Sequence, residues 1–287
     1  MIGVTYDCEP TLTDLQVIEF CQKGFLILKS VVPDEINRRT VSFLDEHASS
    51  GQPVELLDAD WFVEGVIKHP QAAGAVRSLL GKNFKLPVYI GNHRKQCPLT
   101  RICGWHRDGG AMIAPQLDFL QVFYYPQDTP KEMGPTELVP STHFLRGSCR
   151  FMQHYGSIRK AVSTAGPAGT IFIAHYSILH RATTATASGV RNLVNYPYWR
   201  TAAPQRDWVV EPELDFGQVK FSPDISVHQG DWDALAPARM FHWLCGLGED
   251  FEFKGGQAWP IHAGFSKLRV EGVPPGLARL RKIPARE

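Results

Sequence analysis

Two histidines and one aspartate in this chain have the residue types and the spacing of a metal site. His106 and Asp108 form a His-x-Asp pair flanked by glycines, and His180 follows a β-branched and aromatic segment that begins at Gly169. Side chains two positions apart on a strand lie on one face, so this pair supplies two ligands from one short segment. Two imidazoles and one carboxylate form the facial triad that binds ferrous iron and leaves positions open for a co-substrate and O2. We therefore predict that these three residues bind Fe(II).

An arginine downstream of the third ligand has the chemistry needed to bind a co-substrate. A dicarboxylic 2-oxo acid that chelates iron through its ketone and C1 carboxylate presents its second carboxylate one molecule's length away from the metal. Guanidinium pairs with carboxylate through two parallel hydrogen bonds. Arg191 lies eleven positions after His180, and we expect residues 183–189, rich in Thr, Ala and Ser, to form the turn before a strand at 192–198. Arg191 is therefore the predicted co-substrate residue.

Each of these motifs taken singly has a more ordinary explanation. A His-x-Asp pair arises easily by chance among eleven histidines, and a histidine followed by an arginine is weaker still. The order of the motifs is more informative: after His-x-Asp come Gly134-Pro135, a Pro-x-x-His loop ending at His143, a Gly-Thr strand, His180 and Arg191. Agreement between several motifs in sequence favours the metal site. His175, five residues before His180, is assigned to packing.

Helices are predicted in the first part of the chain and strands after them. Residues 13–16 have the capping-box pattern, which predicts a first helix ending at Gly24. A strand at Phe25–Leu28 and a second helix over residues 33–47 follow, and a third helix is predicted over Pro70–Leu80. From Phe84 onward, turns containing proline and glycine separate strands predicted at 86–91, 117–125, 137–139, 169–174 and 191–198.

These elements predict a mainly β protein with flanking helices, built on a double-stranded β-helix of the jelly-roll, cupin-like type. We expect a single domain over residues 1–287, because one elaborated β domain can reach this length. Residues 1–83 are the expected helical support, 84–200 the jelly-roll core and 201–287 a C-terminal extension. The metal ligands are expected inside one mouth of the barrel.

Composition and charge exclude several classes of protein. Hydrophobic residues make up 44% of the chain, which excludes a disordered chain. The net charge of +1 lacks the excess of positive charge that binding to nucleic acid requires. The six cysteines lack the close repeated pairs of a zinc ribbon or a disulfide framework. Neither a signal peptide nor a membrane span is indicated, so the expected location is the cytoplasm. The sequence gives no indication of oligomeric state.

The first two-thirds of the sequence resembles the phytanoyl-CoA dioxygenase (PhyH) family of Fe(II)- and 2-oxoglutarate-dependent oxygenases. The resemblance rests on the opening helix, strand and helix, on residues 125–128 with Gly134-Pro135, on residues 139–143 and on the metal-site motifs. It implies Fe(II) at His106, Asp108 and His180, with 2-oxoglutarate at Arg191 and O2 as co-substrates. It also places Phe123 beside the co-substrate, where several members carry tryptophan.

The resemblance implies oxidation of a small organic substrate, with 2-oxoglutarate converted to succinate and CO2. Hydroxylation is the leading outcome, and retention of Asp108 implies oxygenation because relatives that halogenate lack this carboxylate. Desaturation, epoxidation or ring formation in secondary metabolism is one alternative. A catalytically silent jelly-roll protein that keeps a metal is an alternative from another class.

Several further residues are candidate contacts to the small molecules. Asn92 is a candidate for the co-substrate, although a strand-end hydrogen bond is an equal alternative for Asn92 and for Arg94. The loop after Asp108 leaves the metal edge, and its alternative is an ordinary surface turn. For Trp199 the alternative is aromatic core. The candidate substrate contacts are Arg94, Met112, Ile113 and Trp199.

Overall fold

The computed structural model describes residues 3–100, 103–108, 114–145, 156–215, 219 and 236–247, and the backbone of two further strands. The described helices are α1 (Asp14–Lys23), α2 (Asp34–Glu46), α3 (Asp60–Phe62), α4 (Pro70–Leu80) and α5 (Ala236–Leu244). The described strands are β1 (Thr5–Tyr6), β2 (Phe25–Leu28), β3 (Phe84–Lys85), β4 (Gly91–Asn92), β5 (Lys95–Leu99), β6 (Phe119–Tyr125), β7 (Thr136–Val139), β8 (Val162–Ser163), β9 (Thr170–His175), β10 (Leu179–Ala182), β11 (Ala185–Arg191), β12 (Val194–Trp199), β13 (Phe251–Phe253) and β14 (Leu280–Lys282).

The strands form a jelly roll, which confirms the predicted mainly β fold. The larger sheet has the order β1-β3-β12-β6-β9-β2, and β4 pairs with β12. The smaller side of the sandwich consists of β10-β7-β8 and of the pair β11-β5. One isolated antiparallel bridge pairs His106 with His180, so the segment that carries the first two predicted ligands lies beside β10. None of the described helices is long and apolar enough to cross a membrane.

Alternation along the strands of the larger sheet separates two apolar regions. On β6, Val122 and Tyr124 belong to a core shared with the helices, whereas Phe123 and Tyr125 belong to a second cluster with Phe172 of β9. Because side chains alternate between faces with a period of two, this second cluster lines the interior of the barrel. The barrel interior is therefore the side on which Phe123 lies.

The predicted helices are present, and their ends follow the expected capping chemistry. Thr13 and Gln16 form the capping box at the start of α1, which ends before Gly24. The bounds of α4 match the prediction, and α2 begins one residue later than predicted because Pro33 is its N-cap. Strand β2 also has the predicted bounds. These elements are specified by local sequence signals.

Two predictions about strands are wrong. Residues 86–91 do not form a strand; β3 ends at Lys85 and β4 begins at Gly91, and Pro87 between them has no N–H for a sheet hydrogen bond. Residues 183–189 are not a turn, since residues from 185 onward form β11, paired with the unpredicted strand β5. Ala185, Ala187 and Gly189 are poor strand formers, and the pairing with β5 overrides their low propensity.

The glycine before β9 is expected to be indispensable for stability. Gly169 has a φ of +83°, and a Cβ there would lie 2.5 Å from the backbone oxygen of Val32. Gly169→Ala should therefore lower the free energy of unfolding by about 2 kcal/mol or more. Urea denaturation measures this loss. Gly156→Ala is the matched control, because nothing lies within 4 Å of the added Cβ. Equal losses in the two variants would contradict this explanation.

Candidate metal centre

The structure brings His106 and Asp108 together with His180, which lies more than 70 positions further along the chain. One potential ligand atom from each residue lies within 4.8 Å of the others. Asp108 Oδ1 is 3.7 Å from His180 Nε2, and the two imidazole centroids are 4.4 Å apart. Reciprocal backbone hydrogen bonds between His106 and His180, of 3.0 and 2.9 Å, fix the two chain segments side by side. The backbone alone therefore sets the separation of the two imidazoles.

Both imidazoles have the tautomer that metal binding requires. The Nδ1 atom of His106 lies 2.9 Å from the carbonyl oxygen of Gly104, and that of His180 lies 3.1 Å from the carbonyl oxygen of Ile178. A carbonyl oxygen only accepts, so each Nδ1 carries the proton and donates it. The lone pair of each ring is then on Nε2, and it is available to a metal. This donor set fits Fe(II), a metal that imidazole and carboxylate ligands suit.

The surroundings of His180 favour the neutral form that ligation needs. Burial lowers the pKa of His180 below its usual value, and the charge of His106 acts in the same direction. The negative charge of Asp108 acts in the opposite direction but is the smaller effect. At neutral pH the His180 ring therefore has a free lone pair, and no proton has to leave before a metal binds.

Arg107 connects the ligand segment to two neighbouring loops. Its Nε donates to the backbone oxygen of Ser177 at 2.8 Å. Its second terminal nitrogen donates to the oxygens of Thr142 and Leu145 at 2.9 and 2.8 Å. Since Arg107 lies between the two ligands His106 and Asp108 in sequence, these bonds fix the direction in which both ligands point. The sequence alone does not reveal that Arg107 connects these segments.

Removal of the Arg107 side chain is expected to weaken metal binding without removing a ligand. Groups that orient metal ligands typically contribute about 10- to 100-fold to affinity. Arg107→Ala should raise the dissociation constant of Fe(II) by about that factor, measured by anaerobic calorimetry. Arg38→Ala, an exposed arginine on α2, is the matched control and should bind Fe(II) like the unmodified protein. An unchanged affinity in Arg107→Ala would contradict the orienting role.

Arg191 presents a buried cation to the barrel interior. The residue is 2% exposed, and its guanidinium donates to the backbone oxygen of Gly134. Its Nε has no hydrogen-bond partner, and no carboxylate of the described residues pairs with it. A buried charge without a counter-charge is costly, so this arrangement suits an anion from outside the chain.

A glycine is required where Arg191 is held. Gly134 has a φ of +66°, and a Cβ there would lie 2.7 Å from the backbone oxygen of Thr183. The Gly134-Pro135 motif therefore has a structural explanation, because only glycine places this carbonyl against the guanidinium without a clash.

Phe123 and three polar residues surround the same interior space. The Phe123 ring stacks on Phe172 at 4.6 Å between centroids and lies 6.4 Å from the His180 ring. His93 donates its backbone N–H to Leu193, a member of the interior cluster, and lies opposite it on the interior face while remaining exposed to solvent. The sequence pointed to its neighbours Asn92 and Arg94 as candidate contacts but not to His93 itself. The polar residues of this wall are His93, Lys95 and Asn195.

Other predicted contacts lie away from the triad or are undescribed. Arg94 donates to Asp45 at 2.8 Å and to Asn192 at 3.2 Å. Asn92 also donates to Asn192, at 3.0 Å, and it is paired with Val194 on the face that packs against the helices. Lys85 Nζ lies 5.9 Å from the centroid of the Trp199 ring. Met112 and Ile113 lie outside the described residues.

His175 is packed in the core as predicted, on the face of β9 that carries Ile171 and Ile173. It is fully buried, its Nδ1 accepts from the backbone N–H of Ser177, and its ring stacks on Tyr176. Burial lowers the pKa of His175 well below its usual value. It does not belong to the metal-binding group that the described residues form.

No known protein family and no curated protein matches this sequence. Solved structures do resemble the fold. HygX from Streptomyces hygroscopicus, solved with nickel and 2-oxoglutarate bound, has a TM-score of 0.56 and 15% identity, covering 67% of this chain and 88% of HygX.

Two further neighbours come from nogalamycin biosynthesis. SnoN, a non-haem α-ketoglutarate-dependent epimerase, has a TM-score of 0.51 and 16% identity over 64% of this chain and 81% of SnoN. SnoK, a non-haem α-ketoglutarate-dependent carbocyclase, has a TM-score of 0.52 and 17% identity over 70% of this chain and 91% of SnoK. The chain thus shares the jelly-roll fold of non-haem, 2-oxoglutarate-dependent enzymes.

Proposed function

We propose that this protein is an Fe(II)- and 2-oxoglutarate-dependent dioxygenase of the PhyH type that oxidises a small organic substrate. Hydroxylation is the leading outcome, with 2-oxoglutarate converted to succinate and CO2. The observation that carries the proposal is the buried, carboxylate-free guanidinium of Arg191 in the same barrel that holds the triad. HygX, which has 2-oxoglutarate bound in its structure, supports the choice of co-substrate.

Each residue then has one task. His106 and His180 would donate Nε2, and Asp108 a carboxylate oxygen, to Fe(II). Fe(II), when bound, would supply the redox chemistry by which 2-oxoglutarate reacts with O2. Arg191 would hold the distal carboxylate of 2-oxoglutarate, which fixes the orientation of the molecule before O2 reacts. Phe123 and Phe172 provide an apolar wall that keeps water away from this space.

Arg191 also speaks against a catalytically silent metal-binding protein. Binding a metal through His106, Asp108 and His180 requires no buried guanidinium. Retaining a charge that is only 2% exposed costs free energy in the absence of an anion. A binding site for a dicarboxylate explains that cost, whereas a structural metal site does not.

A different oxidative outcome is the second candidate. SnoN is an epimerase and SnoK a carbocyclase, and both share this fold. Epimerisation or ring formation therefore belongs beside hydroxylation as an outcome of the same site. Mass spectrometry of the product separates them, since hydroxylation adds one oxygen, ring formation removes two hydrogens and epimerisation leaves the mass unchanged.

We further propose one domain for the whole chain. Trp208, which follows the last barrel strand, and Phe241 of α5 lie in the same apolar core as Val17 of α1. Arg206 and Trp208 also donate to the buried carboxylate of Asp14. These contacts support a C-terminal extension that packs on the N-terminal helices.

Turnover of 2-oxoglutarate tests the proposed function without knowledge of the substrate. We expect slow succinate release that needs both Fe(II) and O2, detected by mass spectrometry. Replacement of Fe(II) by Zn(II), or His106→Ala, should abolish it. Succinate release no faster than the Zn(II) control, with Fe(II) demonstrably bound, would favour the silent binding protein.

A further inference from the structure

A second cation lies beside Arg191 inside the barrel. In the antiparallel pair of β5 and β11, Lys95 is directly opposite Arg191. Directly opposed residues of such a pair have their side chains on the same face, so both side chains point to the interior. Among the described residues, Lys95 has no carboxylate partner.

The register of β5 and β11 places Lys95 beside Arg191, and the charges of both residues and of the triad act on the same imidazole, that of His93. The His93 residue is exposed to solvent, yet desolvation by neighbouring protein atoms lowers its pKa. The positive charges of Lys95, Arg191 and His106 act in the same direction, and the negative charge of Asp108 opposes them. One imidazole thus responds to the cations and to the triad at once.

A buried amide oxygen on β12, in the larger sheet, also lacks a partner. Asn195 is 8% exposed, and its Oδ1 forms no hydrogen bond. It is paired with Phe123 on the interior face of β12 and lies against Gly91. An unpaired buried polar atom carries a desolvation cost, which a hydrogen bond from a bound molecule would offset.

The charges of the proposed complex leave Lys95 unmatched. This step rests on the proposed function. Fe(II) and Arg191 together are balanced by Asp108 and the two carboxylates of 2-oxoglutarate. The half-buried ammonium of Lys95 then remains without a counter-charge, in a partly desolvated position where opposite charges attract more strongly than in bulk water. One further negative charge would neutralise it.

We propose that Lys95 binds a carboxylate of the primary substrate, and that Asn195 forms a hydrogen bond to the same molecule. The substrate class is thus a small organic acid. Exposure distinguishes the roles of the two cations: Arg191 is almost completely buried, whereas Lys95 is half-buried and reachable from solvent. The co-substrate carboxylate binds Arg191, the more deeply buried cation. The substrate enters later, and its carboxylate binds Lys95, which is nearer to solvent.

Paired acids and amides test this assignment. The probes are acetate, phenylacetate and indole-3-acetate, each with its primary amide, added anaerobically to the Fe(II)–2-oxoglutarate complex. Binding is followed by calorimetry and by the visible charge-transfer band. At least one acid should bind about tenfold or more tightly than its amide. Lys95→Gln should abolish this preference, and Lys95→Arg should retain it.

The affinity for 2-oxoglutarate shows whether Lys95 binds a carboxylate of the co-substrate or one of the primary substrate. Lys95→Gln should weaken 2-oxoglutarate binding far less than Arg191→Ala does, and the distant control Lys131→Gln should leave the affinity within about twofold of the unmodified protein. A loss comparable to that of Arg191→Ala would assign Lys95 to the co-substrate and overturn the proposal. Equal binding of every acid and its amide by the unmodified protein would also overturn it. Absence of the charge-transfer band itself would instead overturn the proposed function, and the substrate assignment with it.

Discussion

His180→Ala is expected to abolish Fe(II) binding at stoichiometric concentrations. His180 would supply one of three ligands, and its ring position is fixed by a backbone bridge to His106 and by the carbonyl of Ile178. No other described histidine joins the group, so no substitute ligand is at hand. Since groups that merely orient ligands contribute about 10- to 100-fold, loss of a ligand should exceed about 100-fold.

Anaerobic calorimetry with Fe(II) measures the effect of His180→Ala. His47→Ala is the matched control, because His47 lies at the end of α2 and stacks on Phe43. Circular dichroism checks that both variants are folded. Fe(II) affinity within about tenfold of the unmodified protein would show that His180 is not a ligand.

Arg191→Ala is expected to separate co-substrate binding from metal binding. Truncating one partner of a buried, hydrogen-bonded charge pair costs about 2 to 5 kcal/mol, so 2-oxoglutarate should bind roughly 30-fold more weakly or worse. Fe(II) affinity should not change, because Arg191 bonds to Gly134 and not to the triad.

Arg191→Lys is the informative companion variant. An ammonium keeps the charge but loses the paired geometry of guanidinium, so the loss of 2-oxoglutarate affinity should be smaller than in Arg191→Ala. Equal affinities of Arg191→Ala and the unmodified protein would remove Arg191 from the co-substrate site. A parallel loss of Fe(II) affinity would indicate a structural role instead.

Local signals made the helices and several strands predictable. Thr13 and Gln16 mark the start of α1, and Gly81 follows the end of α4, because caps satisfy backbone groups that the helix itself leaves free. The alternation in β6 is equally local. In contrast, β11 is a strand only because β5 pairs with it, and its small residues carry no such signal.

The candidate site likewise contains residues that the sequence predicts and residues whose roles depend on long-range contacts. His106, Asp108, His180 and Arg191 were recognisable because their chemistry is unusual and their order is informative. The roles of Arg107 and His93 depend on contacts with segments distant in sequence, including Ser177 and Leu193. The ion pair of Arg94 with Asp45 on α2 is another long-range contact that local sequence does not reveal. Side chains of consecutive strand residues point to opposite faces, so knowing that Asn92 faces the helices would have placed His93 on the barrel side.

The most direct test of the central claim is an anaerobic titration of the metal-free protein with Fe(II) and then 2-oxoglutarate. We expect a weak visible metal-to-ligand charge-transfer band that needs both components. The band should be absent in His180→Ala and should need far more 2-oxoglutarate in Arg191→Ala. Fe(II) bound at the site with no band at saturating 2-oxoglutarate would contradict a 2-oxoglutarate-dependent enzyme.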